Sequence, residues 1–415
     1  MQVLTMVRDL AAGQLDGVAA SAPRSTCREL VLSIVQDLPS SMITEDTLPK
    51  MCHLLADPSV DVQKMTYQLL GVAARKRTEH FVIEAGVDVD AVVKADLPLE
   101  LLDILQTSLN LSQGDPLDLE ESTVFGYLLG WMVVFDLFTD ASLKVKLSYI
   151  DQLRTLDIIG TSFLPNLLSL LGVDQGTPKA FKLDPWAVDE YFVQLYESGS
   201  PWSLQVLAAH LYYRALLTVP SLIYNWVLDC KDRQLSSSIA TYTSLHFSPV
   251  IIRAELAYVK NPEVTADLVD ENLTIKVAAA VNEVVASYLV DEHQLEIKLK
   301  IPSDWPLHKI EVKDVQRVGV EETRWRAWIL AVQQTLWSQN GRIVDGIGLF
   351  KKNVTLHFEG QVECAICYSI ISVMDGSLPR KPCKTCKNRF HSGCLYKWFS
   401  TSHSSSCPLC RSDII

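Results

Sequence analysis

The sequence predicts a multidomain chain in three successive parts: a mainly α-helical repeat region, an α+β domain, and a small module folded around metal. Three observations predict this. Up to about residue 230, apolar residues recur at the spacing of one helix face. From about residue 248 the pattern changes to strict alternation, the period of a half-buried strand. Between positions 364 and 410, seven cysteines and one histidine fall in four pairs, each with two residues between its members. A chain of 415 residues has room for about two or three domains. Its 48% hydrophobic and 21% charged residues are ordinary for packed globular structure.

Residues 1–235 are expected to form helices stacked in pairs. Leu30, Val31, Ile34 and Val35 share one helix face. Leu48–Leu55 makes the next helix, with Thr47 as its cap and Pro49 tolerated in its first turn. Val62–Ala74 follows, with Tyr67, Leu69, Leu70 and Val72 apolar. Further helices are expected at Leu99–Leu111, Val124–Leu137, Leu143–Leu156, Leu164–Leu171, Pro185–Glu197 and Leu204–Leu217. The last two carry Trp186, Tyr191, Phe192, Tyr196, Tyr212 and Tyr213, which at helical spacing read as core. His210, on an apolar face, reads as a packed histidine. Cys27, Cys52 and Cys230 stand singly and read as small buried hydrophobes, not nucleophiles. The stretch Leu54–Val62 resembles the turn of a HEAT repeat, with Asp57 capping and Pro58 opening the incoming helix. The region is thus expected to be a HEAT-like solenoid that gives reach. The opening residues show no signal peptide, and the chain is expected to be the C-terminal part of a longer solenoid. The longest uncharged apolar runs, Ile158–Val173 and Ser198–Tyr213, fall short of about 20 residues, so no membrane partner is expected.

The Ser-rich interval Lys231–Ser248 is the expected boundary, and residues 245–358 the second domain. Leu273, Ile275, Val277 and Ala279 share one strand face; Leu295, Ile297, Leu299 and Ile301 share another. Pro302 and Pro306 end that strand around Trp305, and His308–Val320 supplies a further strand. Helices close the unit at Glu322–Trp337 and Arg342–Phe350. This order resembles the RWD domain, a relative of the ubiquitin-conjugating fold. Carrying ubiquitin requires a cysteine thiolate, and none lies between Cys230 and Cys364. The domain is therefore expected to bind without catalysing. With almost no linker between them, the two are expected to form one rigid arm.

In the module at 362–413 the pairs are Cys364/Cys367, Cys383/Cys386, His391/Cys394 and Cys407/Cys410. Such pairs suit tetrahedral zinc, and eight ligands make two closed structural sites with no place for water. His403 belongs to no pair. The order four Cys, one His, three Cys is shared by plant-homeodomain fingers, which read histone tails, and by one class of RING finger. A plant-homeodomain finger calls for an aromatic two residues before the seventh ligand, where Ser405 stands. Ile366 in the first knuckle, Trp398 four residues after Cys394, and Cys407-Pro408-Leu409-Cys410 instead resemble a C4HC3 RING of the ubiquitin-ligase kind. That resemblance implies a cross-brace, with Cys364, Cys367, His391 and Cys394 on one zinc and Cys383, Cys386, Cys407 and Cys410 on the other. It also implies that Ile366, Trp398, Pro408 and Leu409 contact a conjugating enzyme, and that Arg411 clamps carrier and ubiquitin. No residue is expected to form a covalent intermediate.

More narrowly, Cys364-Ala-Ile-Cys367, Phe390-His-Ser-Gly-Cys394-Leu-Tyr-Lys-Trp398-Phe399 and Cys407-Pro-Leu-Cys-Arg411 resemble the listerin family, ubiquitin ligases of ribosome-associated quality control. The resemblance implies a cytosolic, ribosome-associated protein with two structural zinc ions. It implies as partners a conjugating enzyme charged with ubiquitin and the large ribosomal subunit bearing a stalled nascent chain. A nuclear export mediator factor-like cofactor, other quality-control subunits and an rRNA contact are implied as well, with docking near Lys298, Lys300 and Lys309. The alternatives are a histone-tail reader and a non-catalytic ribosome-bound scaffold. The net charge of −12 argues against a generic nucleic-acid binder. Locally, however, residues 361–415 carry seven Lys/Arg against three Asp/Glu.

Overall fold

The computed structural model describes residues 26, 29–34, 37, 39–87, 95–107, 109 and 121–414. The expectations for the chain's opening, Cys27, Val35 and the end of the helix at 110–111 lie outside the described residues. Two compact units divide the chain, Met1–Phe247 and Ser248–Ile415.

The first unit is helical. Its α1 (Thr47–Met51) runs into a 3-10 turn at Cys52–Ala56, where one unbroken helix was expected. Thr47 is no cap but a buried first-turn residue. The next helix, α2 (Val60–Val87), begins later than Asp57 and Pro58 suggest. Proline disfavours helical backbone in the residue before it, and Asp57 is accordingly extended, with φ −66° and ψ 139°. Its carboxylate accepts the Ser59 amide at 2.9 Å, and the Ser59 hydroxyl meets the Val62 amide at 3.5 Å. Ser59 is thus the residue that meets the helix start.

α3 (Leu99–Leu105), α4 (Glu121–Asp136), α5 (Leu143–Leu156), α6 (Leu164–Leu170), α7 (Ser203–Thr218) and α8 (Pro220–Asp229) follow. Every residue of α4 from Val124 to Phe135 is buried. At Gly126 the helix comes so close that an added Cβ would lie 2.1 Å from the Leu55 carbonyl. Gln63 joins the two segments, donating to Leu55 O and Ser122 O at 2.8 Å each. Among the described residues no single helix is long and apolar enough to cross a membrane; only α7 and α8 together, bent by 102°, have the length and composition.

Pro185–Glu197 is not a helix. It is an irregular segment with one 3-10 turn at Val193–Leu195. Its aromatics are anchors, not a helix face: Tyr196 stacks on Phe125 of α4 at 3.6 Å, Trp186 packs on Trp202, and Tyr191 stacks on His210. Long-range ring contacts override the local pattern here, and β-branched and aromatic residues are poor helix formers. Phe192 is exposed. His210 Nδ1 lies 3.0 Å from Val188 O, which accepts its N–H, and burial holds the pKa of His210 down at about 4. Cys52 is buried, which pushes its thiol up to about 12 and leaves it a hydrophobe. Lys231–Ser248 is no linker either. It holds α9 (Arg233–His246), whose first-turn amides at Gln234 and Leu235 are capped by Asp232. Ser238, Ile239, Tyr242 and Thr243 bury one face of this helix, and Ser237 is on the exposed one, so the Ser-rich stretch is an amphipathic helix.

The second unit opens with α10 (Ser248–Lys260). A four-stranded antiparallel meander follows in the order β1 (Leu273–Ala278), β2 (Glu283–Val290), β3 (His293–Lys300), β4 (Glu311–Gln316). The alternation seen in the sequence is the buried face: Leu273, Leu295, Ile297 and Leu299 are fully enclosed. Ala279 is outside the strand, in a 3-10 turn. Against that face pack α11 (Glu322–Trp337), with Trp325 and Val332, and α12 (Ile343–Phe358), with Ile347, Phe350 and Val354. α12 runs eight residues beyond the expected Phe350.

Glu255 of α10 ties the unit together. Its carboxylate takes Arg342 Nη2 at 2.8 Å, Arg342 Nε at 3.0 Å and the buried Ile343 amide at 2.9 Å. Glu255→Ala is expected to destabilise this unit by about 2 kcal/mol, because an amide is left buried without a partner. The exposed side of Arg342 keeps the figure below that of a fully buried pair. A denaturation midpoint for the second unit unchanged from wild type would refute it.

Candidate metal centre and apolar groove

Three knuckles build the module. In each, a Cys amide receives the chain back five residues on: Cys364 N to Ser369 O at 2.9 Å, Cys383 N to Asn388 O at 2.9 Å, Cys407 N to Ser412 O at 2.8 Å. The fifth residue closes the turn onto the first Cys carbonyl, and does so in the left-handed region: Tyr368, Lys387 and Arg411, at φ 58°, 61° and 59°. The turn aims both sulfurs of a pair to one side. The remaining pair, His391 and Cys394, stands at the start of α13 (Ser392–Ser402). Short strands β5 (Lys381–Pro382) and β6 (Arg389–Phe390) pair antiparallel and bring the second and third pairs together.

Two clusters result, Cys364/Cys367/His391/Cys394 and Cys383/Cys386/Cys407/Cys410, each with its four donor atoms within 4.8 Å of one another. The pairing interleaves, as the family resemblance implies. Tetrahedral sulfurs about 2.3 Å from zinc would stand about 3.8 Å apart. Cys383 and Cys410 are 3.6 Å apart, and Cys386 and Cys407 are 3.8 Å apart. His391 turns Nδ1 to the sulfurs, 3.4 Å from Cys367 and 3.8 Å from Cys394, while Nε2 lies 3.1 Å from the Ile370 carbonyl. With the proton on Nε2 that contact is a hydrogen bond, and the Nδ1 lone pair is free to ligate. The Cys386 amide and then the Ser412 hydroxyl hold the Cys383 thiol down at about 6. Burial and neighbouring sulfurs push Cys394 up to about 12. In the first cluster, beyond burial, Cys367 and Cys364 oppose a thiolate at Cys394, a repulsion that a cation among the donors would relieve. The donor set therefore fits a closed metal ion at each cluster. His403 is at the end of α13 and joins neither.

Beside the first cluster lies an apolar groove of about 330 Å³, lined by Ile366, Val373, Met374, Trp398 and Thr401, among others. The Trp398 indole donates to Ser406 O at 3.1 Å, which fixes the ring against the third knuckle. Ile366 and Trp398 are brought together as expected from their positions. Pro408, Leu409 and Arg411 are not in the lining; Leu409 is 49% exposed, and Arg411 is at the third knuckle's left-handed corner. Val373 and Met374, 81% and 71% exposed, were missed. Two large apolar side chains in a loop of Ser, Asp and Gly are a legible signal for a contact surface.

The basic residues expected to dock divide. Lys298 is paired with Glu283 at 3.3 Å, and Lys309 lies over the Trp337 ring. Arg380, Lys381, Lys384, Lys387 and Arg389 are all exposed on and around the β5–β6 hairpin.

Comparison with known proteins agrees with this architecture. A family model described as the LTN1 family HEAT repeat region matches residues 41–260. A ubiquitin conjugating domain-like model matches 273–357, and a Ring finger domain model matches 362–411, which sets the plant-homeodomain reading aside. The chain is similar to the E3 ubiquitin-protein ligase listerin of Schizosaccharomyces pombe, at 33% identity over 404 residues, 93% of this chain and 24% of that protein. It is similar to listerin of Saccharomyces cerevisiae at 34%, over 86% of this chain and 24% of the relative. For listerin of Gallus gallus the figures are 34%, 71% and 17%. The chain thus spans about a quarter, or less, of the length of these relatives.

Proposed function

Since this chain belongs to the listerin (LTN1) family, we propose that it is the carrier-recruiting end of a RING-type ubiquitin ligase. The observation that carries the reading is the exposed groove of Ile366, Val373, Met374 and Trp398 on a module with two closed Cys/His clusters. Zinc at both clusters supplies folding energy and no chemistry, since every donor is a protein side chain. The groove takes an apolar loop of a conjugating enzyme whose thiol carries ubiquitin. A substrate lysine, deprotonated at Nζ, attacks the thioester carbonyl; the isopeptide bond forms and the carrier's thiolate leaves. No residue of this chain bonds to ubiquitin. Its part is orientation, converting a loose encounter into an attack-ready one. Arg411, held exposed at the third knuckle, contributes a cation toward carrier and ubiquitin.

The substrates are lysines of stalled nascent polypeptides on large ribosomal subunits, marked for degradation in the cytosol. A nuclear export mediator factor-like cofactor and other quality-control subunits complete the assembly. Support for docking comes from the ubiquitin-conjugating-like domain, which has no cysteine between positions 231 and 363 and so binds without carrying ubiquitin. The exposed basic hairpin supplies the rRNA contact. Cosedimentation of the chain with large subunits is expected at low salt, and neutralising several phosphates should make affinity fall by about 10³-fold between 50 and 200 mM salt. Absence of binding at any salt would remove the ribosomal role. Ubiquitin transfer with a panel of charged conjugating enzymes tests the ligase itself. A metal-replete chain inert with all of them would be the non-catalytic scaffold.

A further inference from the structure

The loop between the first and second ligand pairs belongs to two domains at once. Its stem is inside the ubiquitin-conjugating-like domain: Ile371, with no exposed surface, and Leu378 are part of that domain's core cluster. Its tip carries Val373 and Met374 out to the groove. The tip is closed on itself by Ser372 N to Ser377 O at 2.9 Å and Gly376 N to Ser372 O at 2.8 Å, so it is carried as one piece by its stem.

Asp291 holds that stem. Asp291 and Glu292 form the two-residue turn between β2 and β3, where Val290 faces His293. Both turn residues lie in the left-handed region, at φ 49° and 67°. Turns of this kind favour glycine, and an Asp–Glu pair carries strain there. What the Asp side chain does explains its presence. Its Oδ2 accepts the Ile370 amide at 2.6 Å and the Ile371 amide at 3.3 Å. The Ile370 carbonyl, on the same peptide as the Ile371 amide, lies against His391 Nε2. One peptide is therefore held between a carboxylate of one domain and an imidazole of the other domain's first cluster. On the far side of the loop, the Gly319 amide donates to the Gly376 carbonyl at 2.8 Å. An added Cβ at Gly319 would meet Phe358 at 3.0 Å and Ile371 at 3.4 Å, so this face is close-packed.

We propose that Asp291 is a positioning residue for the conjugating-enzyme groove: it clamps the stem of the 370–378 loop and so sets Val373 and Met374 opposite Ile366 and Trp398. This rests on the ligase reading above. The ubiquitin-conjugating-like domain then has a second role besides docking. It completes the recruiting surface of its neighbour, so transfer is not a property of residues 362–413 alone.

The test is Asp291→Gly in the full chain. Glycine suits the left-handed turn, so the hairpin is kept while the carboxylate goes. Expected are both metal ions retained, faster amide exchange at Ile370 and Ile371, and a rise of about tenfold in KM for the charged carrier, the scale of a lost charge-assisted hydrogen bond. kcat at saturating carrier should stay within about twofold, since the groove once filled is the same. Asp291→Asn, which keeps an acceptor oxygen, should restore part of the KM. An unchanged KM, a loss confined to kcat, or loss of metal would each overturn the proposal. Trp398→Ala separates the two ideas. If it abolishes transfer while Asp291→Gly equals wild type, only this inference fails. If the wild-type chain transfers nothing, the ligase reading fails and takes this inference with it.

Discussion

Cys383→Ser is expected to release a metal ion and unfold the C-terminal module, while the helical unit keeps its thermal transition. The magnitude follows from comparison. Structural zinc supplies about 10–16 kcal/mol of apparent folding free energy in small modules. The module's own apolar core is Phe390, Leu395 and Phe399 around the buried cysteines, and each such side chain contributes roughly 2 kcal/mol. Against the entropy of ordering about fifty residues, at roughly 1–2 kcal/mol for each backbone, that core alone is insufficient. The ions decide whether the module folds. Metal analysis of the wild-type chain should give two zinc ions per chain; fewer would defeat the cross-brace. The first cluster should reach further than the second, because its His391 contacts the Ile370 carbonyl. Cys364→Ser is therefore expected to lower the melting temperature of the ubiquitin-conjugating-like domain as well, through the stem residues Ile371 and Leu378 that its core includes.

Trp398→Ala is expected to reduce ubiquitin transfer at least about thirtyfold while both clusters stay filled. Truncating an aromatic anchor at the centre of an interface costs roughly 2 kcal/mol or more. The ring lines the groove, and its N–H is spent on Ser406 O, so its apolar face is what a partner meets. Trp398→Phe separates these roles. It keeps an aromatic face and loses one hydrogen bond, worth about 1 kcal/mol, and should retain most of the transfer activity. Unchanged transfer by a metal-replete Trp398→Ala chain would place the carrier contact elsewhere on the module.

How legible each part was follows from the range of the forces that build it. Leu143–Leu156 and Glu322–Trp337 coincide with α5 and α11. In each, the helical period is sustained over several turns with no competing contact. The face of Leu295, Ile297 and Leu299 was legible because alternation in β3 is the direct imprint of one buried side. Strand β2 was overlooked. Its buried face, Val284, Ala286, Tyr288 and Val290, does alternate, but Val285 and Leu289 put apolar residues on the other face too and mask the period in the sequence. Pro185–Glu197 was read as a helix and is not one, whereas Lys231–Ser248 was read as a polar boundary and is mostly helix. The first has aromatics whose partners are far along the chain; the second holds the expected boundary at its end, between Phe247 and Ser248, but its serines belong to a helix and Ser238 is buried in it.

The sequence by itself picked out the eight side chains that gather into the two Cys/His clusters, because two-residue spacing is a local geometric demand that a chain meets within one turn. It determined the helical period of the first part and the alternating period of the second, which each element imposes on its own residues. It also determined what the second domain cannot do, since a domain with no thiol between positions 231 and 363 cannot carry ubiquitin on one. Only the tertiary structure decided where one domain ends and the next begins to act. The 368–378 loop lies between two ligand pairs, yet Ile371 is buried in the neighbouring domain's core and answers to Asp291, some eighty positions earlier. Burial and a carboxylate's reach are set by distance through space, and a residue pattern along the chain records neither.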